Sequence, residues 1–278
     1  MGKIIDGKSL ADTIQQEICQ EISQKNLQPN LAVILVGDDP ASKIYVELKK
    51  KAARQVGINF HEYLLDKETP APEILKVIDF LNNDQQIDAI LVQLPLPKHI
   101  NTDQIIQAID PKKDVDGFHP TNIQKLLSGQ NDFVPGLPLG IIKLIDGTNE
   151  NIAGKTAVIV SKSDIFYQPL AKLLSDRQVN VKTIKPDKKN IKDETLVADI
   201  LIVACGQPFF ITADMVKPDA IVIDVGTNKI DNSHVVGDVD FSAVFDKVKF
   251  ITPVPGGVGP MTVAMLLYNT LKLHKARK

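Results

Sequence analysis

A phenol and an amine stand four residues apart in the sequence, at Tyr45 and Lys49. On a helix this spacing places both side chains on one face. A lysine held in a partly apolar cleft loses affinity for its proton, which makes it usable as a general base or acid near neutral pH. The alternative is a lysine whose ammonium reaches solvent within the charged run 49–51. The spacing by itself leaves both interpretations open.

The boundaries of the helix that carries this pair are predicted by capping residues. Asp39 is a good N-cap, Pro40 suits the first helical position and Gly57 is a good stop. We therefore predict a helix over residues 40–56. The apolar stripe expected to face the core consists of Ile44, Leu48, Ala52 and Val56.

Three further polar residues, Gln93, Asp114 and Asp116, are candidates for the same site. Gln93 ends an apolar strand and precedes two prolines, so its amide is expected to project from a rigid mount and to need partners. It either orients Lys49 or caps the strand. Asp114 and Asp116 set two carboxylates at alternate positions, which suits an amine-rich heterocycle or a metal ion. The histidines show no paired spacing, so we favour the heterocycle and expect no metal.

A loop rich in glycine and proline occupies residues 251–262, directly before an apolar helical pattern at 263–273. Glycine lets a ligand approach the main chain, proline fixes the path of the loop, and amides at a helix start favour an anionic or carbonyl group. The segment is therefore either a ligand-binding loop or an interdomain linker.

Short apolar runs alternate with helical patterns along the chain, which predicts an α/β fold of parallel sheets covered by helices. The predicted strands are 31–37, 87–94, 157–161, 179–184, 200–204 and 220–226. A region rich in Pro, Gly and Asn separates two such blocks, so we predict two domains. The first comprises residues 1–145 with a returning helix at 260–278, and the second, at 146–259, resembles a Rossmann domain.

Ligands of open α/β sheets bind beyond the carboxyl ends of the strands, so the residues after each strand are expected to line a cleft. The first strand of the second block is not followed by the GxGxxG fingerprint. Lys162 and Lys185 either hold a 2′-phosphate, which would indicate NADP, or belong to a solvated lysine-rich loop. The candidate positions after the strands of this block are Ser161, Lys162, Ser163, Lys185, Cys205, Gly206 and Thr227.

Composition limits the classes of partner. The chain has 278 residues, 44% of them hydrophobic and 24% charged, and its net charge of -2 gives no electrostatic case for nucleic acid. The longest apolar runs have the length of strands, and the first residues lack the apolar block of a signal peptide. We expect a cytoplasmic protein without membrane partners.

Five motifs, spread over the length of the chain, together resemble the bifunctional methylenetetrahydrofolate dehydrogenase/methenyltetrahydrofolate cyclohydrolase family. They are ASKIYVELK at 41–49, ILVQLPLP at 90–97, KDVDGFHP at 113–120, GDVDF at 237–241 and the loop at 252–262. The resemblance implies two activities: hydride passes from 5,10-methylenetetrahydrofolate to NAD(P), and water then opens the methenyl cation to 10-formyltetrahydrofolate. It also implies a folate substrate, NADP as cofactor with NAD as the alternative, and a homodimer.

The resemblance implies a role for each site residue. Lys49 is expected to be the catalytic lysine of the water step, with Gln93 positioning it. Tyr45 and Asp116 are expected to contact the folate ring, and the substrate-binding set implied by the family is Ser42, Tyr45, Asp116, Pro255, Gly256 and Gly257. The backbone of the last three is expected to line the place where folate and nicotinamide meet.

The chain departs from the family's pattern in its cofactor half. The family's Gly-Arg-Ser is SKS at 161–163, its loop after the second strand is KPDK at 185–188, its Pro-Cys-Thr-Pro is PGLP at 135–138, and Tyr167 stands in place of a small glycine. A tyrosine beside a pyrophosphate predicts a narrowed cofactor site. Two alternatives therefore stay open: a cyclohydrolase that has lost its dehydrogenase, and a non-catalytic folate-binding regulatory protein.

Overall fold

The computed structural model describes residues 2–130, 133–231 and 234–277. Strands and helices alternate through the first half of the chain: β1 Lys3–Ile4, α1 Gly7–Gln24, β2 Asn30–Val36, α2 Pro40–Val56, β3 Asn59–Leu65, α3 Ala71–Asn83, β4 Ala89–Val92, α4 Thr102–Ala108, α5 Pro120–Leu127 and α6 Gly136–Asp146. The second half continues the alternation: β5 Thr156–Ser161, α7 Asp164–Ser175, β6 Asn180–Ile184, α8 Ile191–Thr195, β7 Ile200–Ala204, β8 Ile221–Asp224, β9 Asn228–Lys229, β10 Val235–Val236, α9 Phe241–Val244, β11 Phe250–Ile251 and α10 Val258–Ala276. Among the described residues, no helix is both long and apolar enough to cross a membrane.

The chain divides into two compact units. The first unit is Asp12–Gly136 with Val263–Lys278, and the second unit is Met1–Ala11 with Leu137–Thr262. This division differs from the expected boundaries at 145 and 260. The start of the chain belongs to the second unit because β1 pairs in parallel with β11, Lys3 opposite Phe250 and Ile4 opposite Ile251.

The first unit contains a parallel three-stranded sheet in the order β3-β2-β4. The central strand β2 is buried at every position after Asn30, and its side chains pack with Ile74, Ile78 and Leu81 of α3. The sequence did not predict β3, because this edge strand is half exposed and lacks a continuous apolar run. The predicted strand at 87–94 is shorter in the structure, since only Ala89–Val92 pairs with β2.

The second unit contains a parallel six-stranded sheet in the order β1-β11-β8-β7-β5-β6. Crossovers on both sides of β5 give the arrangement of a Rossmann-like domain, which confirms the predicted fold class. The four strands predicted in this block are all present, with ends within two residues of the predicted ones. The strands β1, β9, β10 and β11 are only two residues long, too short to show a pattern in the sequence.

The boundaries predicted for α2 are confirmed, and its predicted buried face is right for Ala52 and Val56 but wrong for Ile44 and Leu48. Asp39 accepts a hydrogen bond from the Ser42 amide at 2.8 Å, and Gly57 adopts the left-handed conformation at φ 87°. Ile44 and Leu48, predicted to face the core, are 56% and 50% exposed. Besides Ala52 and Val56, the helix buries Ser42, Val46 and Ala53. Lys49 lies on this buried face, because it follows Val46 by three residues and Ser42 by seven.

Candidate active site

The amine of Lys49 is held by the amide of Gln93. Lys49 Nζ donates to Gln93 Oε1 at 2.8 Å, and Gln93 Nε2 donates to the Leu94 carbonyl at 2.6 Å. The Gln93 side chain is buried at the end of β4, and its backbone amide donates to Ile34 of β2. Both ends of the Gln93 amide are therefore fixed, and its oxygen points to the lysine. The hydrogen bond to Lys49 favours orientation of the lysine, one of the two roles left open by the sequence.

Lys49 differs in its surroundings from the next lysine on the helix. Lys50 forms ion pairs with Glu47 and Glu62, which raise the pKa of its amine. Burial instead lowers the pKa of Lys49, and the nearby carboxylate of Asp116 offsets only part of that effect. Of the two interpretations of Lys49, the partly desolvated amine with reduced proton affinity agrees with the structure.

Asp116 is the acidic partner of this amine. Burial raises the pKa of the Asp116 carboxyl to about 6; the charge of Lys49 acts in the opposite direction, and Asp114 adds to the rise. The proton affinities of the amine and the carboxyl therefore approach each other, as expected of groups that exchange protons with a substrate near neutral pH.

The two carboxylates of the 113–120 motif, Asp114 and Asp116, have different surroundings. Asp114 accepts hydrogen bonds from the amides of Gly117 at 3.1 Å and His119 at 2.8 Å, and from Asn122 Nδ2 at 2.9 Å. These bonds hold the turn that presents Asp116. The alternation of acidic residues therefore marks one structural carboxylate and one that faces Lys49.

Two more groups of the predicted substrate set lie on α2. Ser42 is buried, and no described residue provides a hydrogen-bond partner for its hydroxyl oxygen. Tyr45 stands one turn further along the helix and is 39% exposed. A buried hydroxyl without a partner is available to a bound molecule, and an exposed ring offers a flat apolar surface. Together with Lys49 and Asp116, this part of the first unit can bind a polar heterocycle and accept a proton.

The predicted cofactor residues lie in the second unit, at the carboxyl ends of its parallel strands. Ser161 ends β5, Lys185 follows β6, Cys205 and Gly206 follow β7, and Thr227 follows β8. Because β6, β5, β7 and β8 are neighbours in the sheet, these positions share one edge of it. Ser161 is buried and its hydroxyl oxygen accepts the amide of Ser163 at 3.1 Å, whereas the Lys162 side chain is exposed.

Tyr167 is held on its own helix. Its hydroxyl lies close enough to Asp164, the first residue of α7, for that carboxylate to raise the pKa of the phenol. The aromatic ring is half-buried. The phenol is thus tied at the start of the helix that follows β5, next to the loop of SKS residues.

The side chain of Cys205 is buried in the core of the second unit. Burial raises the pKa of its thiol to about 12, and Sγ lies 3.9 Å from the Val160 carbonyl oxygen within the core. The amides of Cys205 and Gly206 both donate to Asp238. With both amides engaged, the carbonyl oxygens of Cys205 and Gly206 and the bare Cα of Gly206 are the backbone groups available for a cofactor contact. The sequence had no signal for Asp238 beyond the motif at 237–241.

The glycines of the 251–262 loop are required by the loop itself. Gly256 has φ 107°, and a Cβ on Gly257 would lie 2.6 Å from the Pro253 carbonyl oxygen. The carbonyl oxygen of Gly256 accepts the Lys8 amide at 2.9 Å. The segment is therefore a fixed loop within the second unit, not a free linker, and Pro255 is exposed on it.

Family comparisons cover almost the whole chain. Residues 5–116 match the family described as "Tetrahydrofolate dehydrogenase/cyclohydrolase, catalytic domain", and residues 135–278 match "Tetrahydrofolate dehydrogenase/cyclohydrolase, NAD(P)-binding domain". The chain is 50% identical to the bifunctional protein FolD of Halothermothrix orenii over 280 aligned residues, covering 99% of each chain.

Solved structures give the same result. The structure is similar to that of the bifunctional enzyme FolD, methylenetetrahydrofolate dehydrogenase/cyclohydrolase, from Campylobacter jejuni, with a TM-score of 0.96, 44% identity and complete coverage of both chains. It is also similar to the FolD of Trypanosoma brucei complexed with NADP cofactor and inhibitor, with a TM-score of 0.95, 34% identity and coverage of 99% and 98%.

Proposed function

This chain belongs to the tetrahydrofolate dehydrogenase/cyclohydrolase family, and from that premise we propose that it oxidises 5,10-methylenetetrahydrofolate with NADP and hydrolyses the methenyl product to 10-formyltetrahydrofolate. The observation that carries the proposal is the Lys49 amine, desolvated and fixed by Gln93 beside Asp116. A binding protein without catalysis has no need of a buried amine with lowered proton affinity.

Lys49 serves the water step as a base. The methenyl carbon is electron-poor, so water attacks it while the Lys49 amine removes a proton from the water. The bond from this carbon to N5 of the folate then breaks, N5 takes the proton from the Lys49 ammonium, and the new hydroxyl loses its proton to become the formyl oxygen. The balance is one water consumed and one proton released. A neutral amine suits a cationic substrate better than an ammonium, since like charges repel.

The remaining groups of the first unit bind the folate. Above about pH 6 the carboxylate of Asp116 is ionised and accepts hydrogen bonds from the amino and N–H groups of the pterin. Tyr45 offers its exposed ring to the flat heterocycle, and the Ser42 hydroxyl finds the partner that it lacks in the protein.

The second unit suits NADP better than NAD. NADP, when bound, accepts the hydride of the methylene carbon. The lysines in and around β5, β6 and α8 differ in their pairing: Lys182 and Lys188 form ion pairs with Glu194, and Lys192 pairs with Asp214. Lys162 and Lys185 are exposed and have no ion pair within residues 2–130, 133–231 and 234–277. These two ammonium groups are available for a 2′-phosphate.

The two activities separate the proposal from its alternatives. Turnover of 5,10-methylenetetrahydrofolate is followed by absorbance with NADP and, separately, with NAD, beside hydrolysis of the methenyl compound. We expect both reactions, with NADP preferred. Hydrolysis without oxidation would show that the dehydrogenase has been lost, and the absence of both reactions would favour the binding protein.

Tyr167→Gly is expected to lower the Kd for NADP by about three-fold. The substitution removes the aromatic ring that is predicted to narrow the cofactor site at the first helix after β5. Binding is measured by titration calorimetry. Tyr167→Phe keeps the ring, loses only the contact with Asp164, and is the matched control, expected to bind as the parent does. An unchanged Kd in Tyr167→Gly would argue that the ring does not narrow the site.

We propose that the chain acts as a homodimer through the face formed by α2, β3 and α3. The family resemblance implies a dimer, β3 is an edge strand with Leu64 exposed on it, and the helices on either side of it in sequence leave Ile44, Leu48 and Phe80 exposed. Such an edge with apolar neighbours favours association. Sedimentation equilibrium should give twice the chain mass, and Leu64→Glu should shift the protein toward the monomer.

A cytoplasmic location stays a prediction of the sequence.

A further inference from the structure

Asp238 is fully buried in the second unit, and its carboxylate accepts four hydrogen bonds. Oδ2 accepts the amides of Cys205 and Gly206, the latter at 3.0 Å. Oδ1 accepts the Gln207 amide at 2.9 Å and Asn228 Nδ2 at 2.8 Å. Three successive amides directly after β7 thus converge on one side chain. A carboxylate that accepts this many donors fixes the loop that supplies them.

A second buried carboxylate holds Asp238 in place. Asp224, at the end of β8, accepts the amides of Gly226 at 2.9 Å, Asp238 at 3.0 Å and Val239 at 2.9 Å. The amide of Asp224 itself donates to Thr252 Oγ1 at 2.8 Å, at the start of the 251–262 loop. The loops after β7, β8 and β11 are therefore connected through two aspartates.

The far end of the loop after β7 is fastened to the same segment. The Phe209 amide donates to the Gly237 carbonyl at 3.3 Å, and the Ile211 amide donates to the Asp238 carbonyl at 2.9 Å. Among the described residues, no Lys, Arg or His forms an ion pair with Asp224 or Asp238. Backbone amides thus provide most of the stabilisation of these carboxylates, and the donors are concentrated at the ligand-binding edge of the sheet.

We propose that Asp238, held by Asp224, is a positioning residue for NADP. It fixes the backbone at 205–207 so that the carbonyl oxygens and the bare Cα of Gly206 are presented to the cofactor in one arrangement. A loop ordered before binding loses less conformational freedom when the cofactor arrives, so the affinity is higher. The inference rests on the proposed dehydrogenase function and adds a residue that has no contact of its own with the cofactor.

Asp238→Asn tests the inference with little change in size. The substitution replaces one accepting oxygen by an NH₂ group that would face amide donors, so at least one side of the loop loses its anchor. We expect the Kd and KM for NADP to rise about ten-fold, the dehydrogenase kcat to change less than the KM, and methenyl hydrolysis to keep its parental rate.

Asp240→Asn is the matched control. Asp240 stands two residues away, and among the described residues its carboxylate accepts only the Ala243 amide, at 3.2 Å, as the cap of α9. Its NADP binding should equal that of the parent. If Asp240→Asn weakens NADP binding as much as Asp238→Asn does, the effect is general damage to the unit and the inference is wrong.

A milder variant covers the case in which Asp238→Asn does not fold. Asn228→Ala removes one of the four donors and is expected to raise the KM for NADP about three-fold at constant hydrolysis. NADP binding that is unchanged in both variants, with a parent that binds NADP, overturns this inference alone. A parent that binds no NADP overturns the dehydrogenase proposal and the inference together.

Discussion

Lys49→Met is expected to lower the kcat of methenyl hydrolysis by about 10²- to 10⁴-fold, the range that a positioned proton acceptor contributes. The Met side chain is similar in length and has no amine, so water loses the base fixed by Gln93. Folate binding should stay within about three-fold of the parent value, because Asp116, Tyr45 and Ser42 are unchanged. Hydrolysis is measured by the absorbance of the methenyl compound, and binding by calorimetry.

Lys50→Met provides the control on the same helix. The Lys50 amine is paired with Glu47 and Glu62, so its removal takes away an ion pair and leaves the base in place. We expect hydrolysis at the parental rate in this variant. Parental hydrolysis in Lys49→Met would remove Lys49 from the mechanism, and a parent that binds folate without hydrolysing the methenyl compound would point to a non-catalytic protein.

The case of α2 shows what apolar periodicity can and cannot predict. Its two ends were predictable because helix capping depends on residues at the ends themselves, here Asp39, Pro40 and Gly57. Its buried face was predictable only in part: Ala52 and Val56 are buried, whereas Ile44 and Leu48 have the spacing of core residues and are exposed in the single chain. Periodicity identifies an apolar face without telling whether the chain's own core or a partner covers it.

The strands show a similar limit. Those with uninterrupted apolar runs, such as β2 and β7, were predicted nearly to the residue. The edge strand β3 was not, because Asn59, His61 and Glu62 interrupt its apolar positions. An edge strand is shaped by pairing with β2 on one side only, and pairing is a long-range property that a local window of sequence does not contain.

The same contrast holds in the candidate site. The pairing of Gln93 with Lys49 was one of two roles predicted, because Lys49 lies within the well-capped helix α2 and Gln93 directly follows the apolar strand β4. The role of Asp238 was out of reach, although its motif was noticed, because the donors at 205–207 are distant in sequence and converge only in the folded sheet. Hydrogen bonds between residues so far apart in the chain produce no regular spacing in the sequence from which they could be predicted.

Gly237→Ala is expected to destabilise the second unit by roughly 3 kcal/mol or more, at the upper end of what overpacking does. A Cβ at Gly237 would lie 1.8 Å from Asp224 Oδ2. That oxygen cannot swing aside freely, because it accepts the Val239 amide while Oδ1 holds the amides of Gly226 and Asp238. Relief of the clash therefore requires the two aspartates and the loop after β7 to move together.

Gly259→Ala is the control for this change, since an added Cβ there meets no heavy atom within 4 Å. We expect its stability to stay within about 0.5 kcal/mol of the parent, as for an uncrowded substitution. Thermal unfolding measures the stability of both variants. The Gly237→Ala protein that does fold should also bind NADP more weakly. If Gly237→Ala melts with the parent, Asp224 is free to yield, and a carboxylate that yields so easily is not a fixed support for Asp238.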